Sequence, residues 1–378
     1  MKRCKLHTIF TLKALTAALW LVLASGMVSC ADNGSPDEPE APDTPLAELT
    51  LRVGALRSGD NRARSQSDEF EAPTFRHENI RFLRIIIVHP DGTVEHNRLL
   101  TFNGRTDQVS YTFKVTPGET KQIYIVGNEP ISMESSLAGI TVGSMFNKSM
   151  VEELMLSRAT GVPLIDNTGT AQTWVPMSEH FEVKVIDITE GNKQTANLFV
   201  TRAAVKFSFS FKAGTDEIPY GGHGFEVSKI KISNIATTEY LFPHNTVYDP
   251  AKELPSDNPL QGRYITSYTT PATAAPTDFT YNVAIDAGSA FTQFSPAIYL
   301  PESSTGKYEI SVAVREKDGN NGYLQSAPIW FGPKELDIKD LPRNTHVYIN
   351  TTLTNSGIYP KVTIEPFKEI VLSPDFGF

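Results

Sequence analysis

The residues of this sequence that could carry out chemistry are two cysteines, eight histidines and a cluster of arginines. The histidines stand singly, and no HExxH, GxSxG, P-loop or Cys-x-x-Cys pattern occurs. Residues 318–322 have a faint likeness to a calcium loop, but further acidic ligands are missing, so they predict a hairpin turn. We therefore expect no enzyme activity, no metal site and no cofactor.

The arginine cluster follows the first strand-like segment of the chain. Arg57 precedes the turn-forming residues 58–61, and Arg62 and Arg64 follow them. An exposed loop of this composition is a place where a trypsin-like protease can cut. We therefore expect a protease-sensitive loop here, with cleavage at one of the three arginines.

The segment that such a cut would release has the pattern of a half-buried β-strand. Leu49, Leu51 and Val53 lie on one face, and Glu48, Thr50 and Arg52 lie on the other. Cutting at the arginines would leave the rest of the domain short of one strand. We interpret residues 47–64 as a removable first strand with its loop.

Cys30 stands at the end of a signal-like N-terminus. Residues 1–29 contain four basic residues and an apolar stretch, 14–23, that is too short to span a bilayer comfortably. Residues 27–30 (MVSC) resemble a bacterial lipobox, in which Cys30 would carry the lipid. The alternative is an ordinary signal peptide cut near Ser25 or Gly26, with Cys30 as a free thiol.

The composition after the signal limits the class of protein. Residues 30–46 are acidic and rich in proline, which predicts a disordered tether. Loss of the signal changes the formal charge from −9 to −13, which argues against nucleic acid as a partner. The other cysteine is Cys4, so the folded part must be stabilised by its core without disulfides.

Short apolar segments separated by turn residues fill the rest of the chain and predict an all-β fold. Residues 145–158 have helical spacing and predict one short helix in the first half. Apolar character resumes near residue 198, where we place a boundary. The domains expected are a first β-sandwich at 47–197 and a second at 198–357.

The C-terminal residues 358–378 repeat the period-two pattern of the first strand. Pro366 and Pro374 are in phase with it, and proline favours an edge strand or an added strand. One interpretation is that both terminal segments are ordinary edge strands of their own domains. The other is that they compete for a single position, the apolar donor residues being Ile370, Leu372, Phe376 and Phe378.

The order of four short motifs resembles the fimbrillin family, the type V pilin subunits of Gram-negative anaerobes. These motifs are residues 61–63 (NRA) after the first strand, 176–178 (PMS), 202–207 (RAAVKF) and 341–348 (LPRNTHVY). The chain departs from better-known members at its end, which reads DFGF instead of an apolar residue followed by tryptophan. This departure leaves the register of the donor segment open.

The resemblance implies a lipoprotein precursor exported to the outer membrane, with two transthyretin-like β-sandwich domains. An arginine-specific protease would cut after Arg62, with Arg57 and Arg64 as alternatives, and remove the lipid and first strand. The groove left behind would accept the C-terminal segment, residues 370–378, of another copy or a related pilin. The product would be a surface fimbria that supports adhesion.

A second hypothesis keeps the same fold but not polymerisation. The chain would then be a surface lipoprotein that binds glycans through its β-sandwiches. Trp174 and Trp330 lie in strand-like surroundings and are expected in the core, although an exposed tryptophan could stack on a sugar.

Overall fold

In the computed structural model of this chain, strands make up most of the residues that the structure describes. It describes residues 45–55, 78–102, 108–158, 174–187, 192–214, 225–247, 265–271, 277–288, 290–294, 297–317, 327–331, 338–354 and 357–366. The strands of the first half are β1 (Ala47–Ala55), β2 (Phe82–Val88), β3 (Val94–Thr101), β4 (Gln108–Val115), β5 (Thr120–Gly127), β6 (Met155–Ser157), β7 (Met177–Lys184) and β8 (Lys193–Arg202). Two helices, α1 (Ile131–Ala138) and α2 (Lys148–Glu152), lie between β5 and β6.

The second half continues with strands alone among the described residues. They are β9 (Val205–Ala213), β10 (Phe225–Ile235), β11 (Thr238–Tyr240), β12 (Asn245–Val247), β13 (Ile265–Tyr268), β14 (Thr277–Ala287), β15 (Thr292–Gln293), β16 (Ile298–Leu300), β17 (Ser303–Glu316), β18 (Ile329–Phe331), β19 (Ile338–Leu341), β20 (Thr345–Thr354) and β21 (Gly357–Pro366).

Seven strands of the first half form one sheet in the order β3-β2-β5-β7-β8-β1-β4. The sheet narrows between β7 and β8, which pair only through Met177–Arg202 and Ser178–Thr201. Strands β1 and β2 are far apart in this order, yet their buried side chains belong to one hydrophobic core. The sheet therefore folds over at the β7–β8 contact and encloses that core between its two parts.

The second half has two five-stranded sheets. One has the order β14-β10-β17-β18 with β19 on β17, and the other has the order β15-β9-β20-β21 with β16 on β9. Their alternate side chains share a second core, which includes Phe207, Phe209 and Phe211. A third core contains residues of both halves, among them Tyr124 and Tyr299. The described residues accordingly form one compact unit.

The helix predicted at residues 145–158 is wrong in its extent. Only α2 is helical there, starting after Asn147, whose side chain accepts a hydrogen bond from the Met150 N–H at 3.0 Å. Met145 and Met155, which would extend an apolar helical face, are 70% and 47% exposed. The chain becomes strand β6 because it pairs with β11.

The sequence predicted one helix in the first half, and the structure has a second one, α1. It begins after Pro130 and buries Met133 and Leu137, which are spaced by one helical turn. Neither helix in the described part of the chain is long and apolar enough to cross a membrane.

The segment boundaries that the sequence predicted can be compared with the observed strands. The boundary at residue 198 lies inside β8, and the first change of sheet follows Arg202. Residues 358–366 of the predicted donor segment belong to β21, an edge strand that ends at Pro366. The predicted turn at 318–322 lies outside the described residues.

Candidate functional site: the position of the first strand

The first strand lies between two other strands and is not at an edge of its sheet. On one side β1 pairs antiparallel with β4, from Ala47–Val115 to Gly54–Gln108. On its other side it pairs in parallel with β8, from Glu48–Lys193 to Ala55–Val200. We call the space that β1 fills between β4 and β8 the first-strand slot. If β1 were absent, both neighbouring strands would lose a ladder of backbone hydrogen bonds.

One face of β1 forms part of the first core. Ala47, Leu49, Leu51 and Val53 are all fully buried. They pack in the same core as the alternate apolar residues of β2 and β5: Leu83, Ile85, Ile87, Ile123 and Ile125. Burial of the three larger side chains stabilises the fold by roughly 5–9 kcal/mol, before the entropy cost of ordering them.

The opposite face of β1 carries polar residues matched to both neighbours. Glu48 lies beside Lys114 of β4 and beside Lys193 of β8, and the Lys193 ammonium is 3.5 Å from the Glu48 carboxylate. The Thr50 and Thr112 hydroxyls are hydrogen-bonded at 2.8 Å. The slot therefore favours an acidic residue at one position on its rim and a small polar residue at the next.

The chain that follows the arginine cluster is fixed at residues 78–82. The Glu78 carboxylate is buried with the Lys206 ammonium at 2.6 Å and accepts a hydrogen bond from the Tyr299 hydroxyl at 2.6 Å. Burial opposes ionisation of Glu78, but the charges of Lys206 and Arg202 outweigh it and lower its pKa. These contacts attach the start of β2 to the second half of the protein.

Asn128 holds the same segment from the first half. It has a positive φ of 53°, which asparagine tolerates better than most residues. Its side-chain oxygen accepts hydrogen bonds from Arg81 N–H at 2.8 Å and Phe82 N–H at 3.4 Å, and its amide donates to the carbonyl of Asn79 at 2.9 Å. The segment after the loop is thus held by contacts that do not involve β1.

Three of the four sequence motifs meet where the two halves join. The Asn344 N–H donates to the Arg202 carbonyl at 3.1 Å, and the Ala203 N–H donates to the Pro176 carbonyl at 2.8 Å. In the same region, β9 and β20 run parallel from Val205–Thr345 onward. Residues 176–178, 202–207 and 341–348 therefore form a structural junction.

A buried charged network stabilises this junction. The Arg343 guanidinium is 2.9 Å from a Glu302 oxygen and 3.1 Å from a Glu239 oxygen, and all three side chains are buried. Burial lowers the pKa of Arg343, but the two carboxylates outweigh it and raise that pKa. Burial raises the pKa of Glu239 to about 8 and that of Glu179 to about 7.

The structure tests only some of the residues that the sequence singled out. Leu49, Leu51 and Val53 lie on the buried face of β1, and that they can be removed remains a prediction. Trp330, expected in the core, is 46% exposed. The remaining predicted residues lie outside the described part of the chain: Cys30, Arg57, Arg62, Arg64, Ile370, Leu372, Phe376 and Phe378.

The residues that line the slot and hold the chain beside it could not be identified from the sequence. A period-two pattern identifies a strand but not its neighbours, so the parallel contact with β8 could not be foreseen. Glu78 and Lys206 gave no signal either, because they are distant in sequence. Among the residues that the structure describes, no group of three or more histidine, cysteine or acidic side chains could hold a metal ion.

No protein-family model matches the sequence, and no curated protein matches it significantly. Solved structures do match. A putative cell adhesion protein from Parabacteroides distasonis is 14% identical, with 86% of this chain and 98% of that chain covered and a TM-score of 0.51. The tip fimbrial protein Mfa3 from Porphyromonas gingivalis is 14% identical, with coverage of 85% and 100% and a TM-score of 0.48.

A fimbrilin from Porphyromonas gingivalis is 13% identical, with 86% of this chain and 99% of that chain covered and a TM-score of 0.48. The names of these three proteins denote fimbrial or cell-adhesion proteins. At such low identity the similarity concerns the fold alone. The resemblance that the sequence motifs indicated is confirmed as a resemblance of fold by the match with a TM-score above 0.5, the putative cell adhesion protein from Parabacteroides distasonis.

Proposed function

We propose that this protein is a structural subunit of a surface fimbria that polymerises when β1 is removed and a strand of another subunit replaces it. The observation that carries this proposal is the position of β1. It is paired along both edges and contributes four fully buried side chains. Its covalent link to the strands that follow runs through residues 56–77. Those residues include Arg57, Arg62 and Arg64.

Loss of β1 would create a strong binding site for an extended peptide. The edges of β4 and β8 would have unpaired backbone groups, and a strip of apolar core would be open. A strand from a neighbour satisfies those groups and places alternate side chains in the pockets. Burial of four or five apolar side chains contributes roughly 6–15 kcal/mol gross. Ordering the donor costs about 1–2 kcal/mol per residue and offsets much of this gain.

Proteolysis supplies the switch in this mechanism. While β1 is attached, it competes for the slot at an effective concentration of order mM, so the precursor stays monomeric. After the cut, the C-terminal segment of another copy or a related pilin occupies the slot. Because donor and slot are different surfaces, each added subunit leaves a free slot or donor, and an open filament forms.

Export as a lipoprotein and a two-domain architecture complete this mechanism. Two transthyretin-like β-sandwiches would be built on the first and second cores, and the segment after β21 would act as donor. Cys30 would carry the lipid that holds the precursor at the outer membrane until an arginine-specific protease releases the subunit into the fimbria. The resemblance in fold to fimbrial and cell-adhesion proteins supports this location and an adhesive role.

Limited trypsin digestion of the purified precursor tests the proposal. We expect loss of the residues up to the arginine cluster, followed by a ladder of multimers on a gel. Deletion of residues 370–378 should abolish the ladder while the cut monomer remains folded. A cut protein that stays monomeric at high concentration would contradict the proposal.

The exposed indole of Trp330 favours one alternative, a glycan-binding surface lipoprotein that does not polymerise. A flat, exposed aromatic ring is a suitable surface for stacking on a sugar. Glycan binding by the uncut precursor that is lost in Trp330→Ala, together with no laddering after trypsin, would select this alternative.

A further inference from the structure

The first strand and the C-terminal segment share more than a period of two. Glu48-Leu49-Thr50-Leu51 and Glu369-Ile370-Val371-Leu372 both read acidic, aliphatic, β-branched, leucine. In β1 the two aliphatic residues are fully buried, and the glutamate is on the opposite face. The C-terminal tetrapeptide thus has the same types of side chain as residues 48–51, which fill this part of the slot in the precursor.

The rim of the slot supplies a second, independent match. Glu48 is the residue of β1 that lies between two lysines, Lys114 on β4 and Lys193 on β8. The next outward positions lie beside neutral residues, Thr112 and then Ser110 of β4. A donor strand with a single acidic residue before its aliphatic pair is therefore matched in charge to one register only.

We propose that residues 368–376 of a second copy fill the slot in the direction of β1, parallel to β8, with Glu369 between Lys114 and Lys193. Ile370 and Leu372 then occupy the positions of Leu49 and Leu51. This inference rests on the proposed function and adds to it the direction and register of the donor.

Other registers place unsuitable residues in the slot. A shift by two residues puts Lys368 or Pro374 at one of the two central leucine positions. The reverse direction puts Ser373 between the lysines and Lys368 at the place of Val53, which has neighbours on both sides. In the proposed register Lys368 takes the place of Ala47, which is also fully buried but lies at the end of the strand, with a partner on β4 and none on β8. A long lysine side chain at this end can extend its ammonium toward solvent.

The end of the donor also fits this register. Pro374 would take the place of Val53, which pairs with Val109 near the start of β4, so the missing proline N–H costs a bond near the end of a ladder. Phe376 would take the place of Ala55, which is only partly buried, so the larger ring could extend toward solvent.

Cysteine cross-linking distinguishes the registers, because the arginine-trimmed chain contains no native cysteine. Arg52 of β1 pairs with Ser110, and in the proposed register Ser373 takes its place. Directly paired residues of antiparallel strands are close enough for a disulfide. We therefore expect trimmed full-length S110C/S373C to give a covalent ladder under mild oxidation. The S110C/E369C variant, which tests the reverse direction, should give none.

Two further variants separate failure of the register from failure of the proposed function. Uncut R52C/S110C, with Cys4 and Cys30 replaced by serine, is the geometric control and should form an intramolecular disulfide. T112C/V371C should cross-link in either direction, since Val371 takes the place of Thr50 in both. The register is wrong if S110C/E369C cross-links and S110C/S373C does not. It is also wrong if wild-type protein forms a ladder but neither of these variants cross-links. Both outcomes remain compatible with strand exchange. Absence of any multimer from trimmed wild-type protein overturns both.

Discussion

At the scale of single residues, the buried carboxyl groups at the junction contribute to the dependence of stability on pH. Burial raises the pKa of Glu179 to about 7, from a usual value of 4.5. The folded protein therefore holds this proton at a pH where the unfolded chain has lost it. The contribution of Glu179 to stability therefore falls as pH rises from about 4.5 through 7, by up to about 3 kcal/mol.

The Glu179→Gln variant should lose that part of the pH dependence. We expect the free energy of unfolding of the wild type to fall between about pH 5 and pH 8 more steeply than that of the variant. Urea titrations at several pH values measure it. Glu182→Gln, an exposed change on the same strand β7, is the control and should follow the wild type. Parallel curves for Glu179→Gln and wild type would contradict the assignment.

The ion pair between Glu78 and Lys206 gives a second prediction at this scale. Lys206→Met removes the ammonium and leaves the buried Glu78 carboxylate without its ion-pair partner, which should cost about 3–5 kcal/mol in unfolding free energy. Lys148→Ala breaks a pair whose lysine is 52% exposed and should cost less than about 0.5 kcal/mol.

The double variant Glu78→Gln/Lys206→Met completes this comparison. It replaces both charges, so it should recover part of the stability lost in Lys206→Met alone. Chemical denaturation of all three variants provides the measurement. Equal stability of Lys206→Met and Lys148→Ala would show that the buried pair does not hold the segment before β2.

At the scale of elements, the sequence predicted the strands whose pattern is local. The alternation of Leu49, Leu51 and Val53 identified β1 because one face of that strand is buried and the other is not. Its central place could not be predicted, because the parallel partner β8 begins at Lys193, far along the chain. The sequence therefore predicted that residues 47–55 form a strand, but it could not predict that this strand lies between β4 and β8.

The helices show that a local helical spacing can mislead where distant contacts favour a strand. Residues 145–158 had helical spacing, but pairing with β11 draws Met155–Ser157 into a strand, and tertiary contacts override the local pattern. Helix α1 did have a signal, since Pro130 precedes it and Met133 and Leu137 lie one turn apart. Local patterns of this length predict an element only where distant contacts agree with them.

A truncation in β1 tests whether this element leaves the protein. Leu51→Ala should lower the unfolding free energy of the precursor by about 2–5 kcal/mol, because Leu51 is fully buried. Arg52→Ala, on the outward face, should change it by less than about 0.5 kcal/mol. After arginine trimming, the Leu51→Ala and wild-type products should be identical in stability. A remaining difference would mean that the cut strand stays in place.

At the scale of the whole molecule, the two halves share one structural plan but differ at the slot. In each half the first strand runs parallel to a later one, β1 beside β8 and β9 beside β20. Only β1 is linked to the following strand by residues that include the arginine cluster. The second core contains no residue of β1, so it does not depend on that strand.

Hydrogen exchange should therefore distinguish the halves after trimming. Amides of β4 and β8 should exchange much faster in the trimmed monomer than in the precursor, because they lose the ladders to β1 and the cover of Leu49 and Leu51. Amides of β9 and β20 should keep their protection. In the polymer, protection of β4 and β8 should return as a donor strand fills the slot. Mass spectrometry of peptic fragments from precursor, trimmed monomer and polymer measures all three states. Equal loss of protection in both halves after trimming would contradict this prediction, because it would show that the stability of the second half also depends on β1.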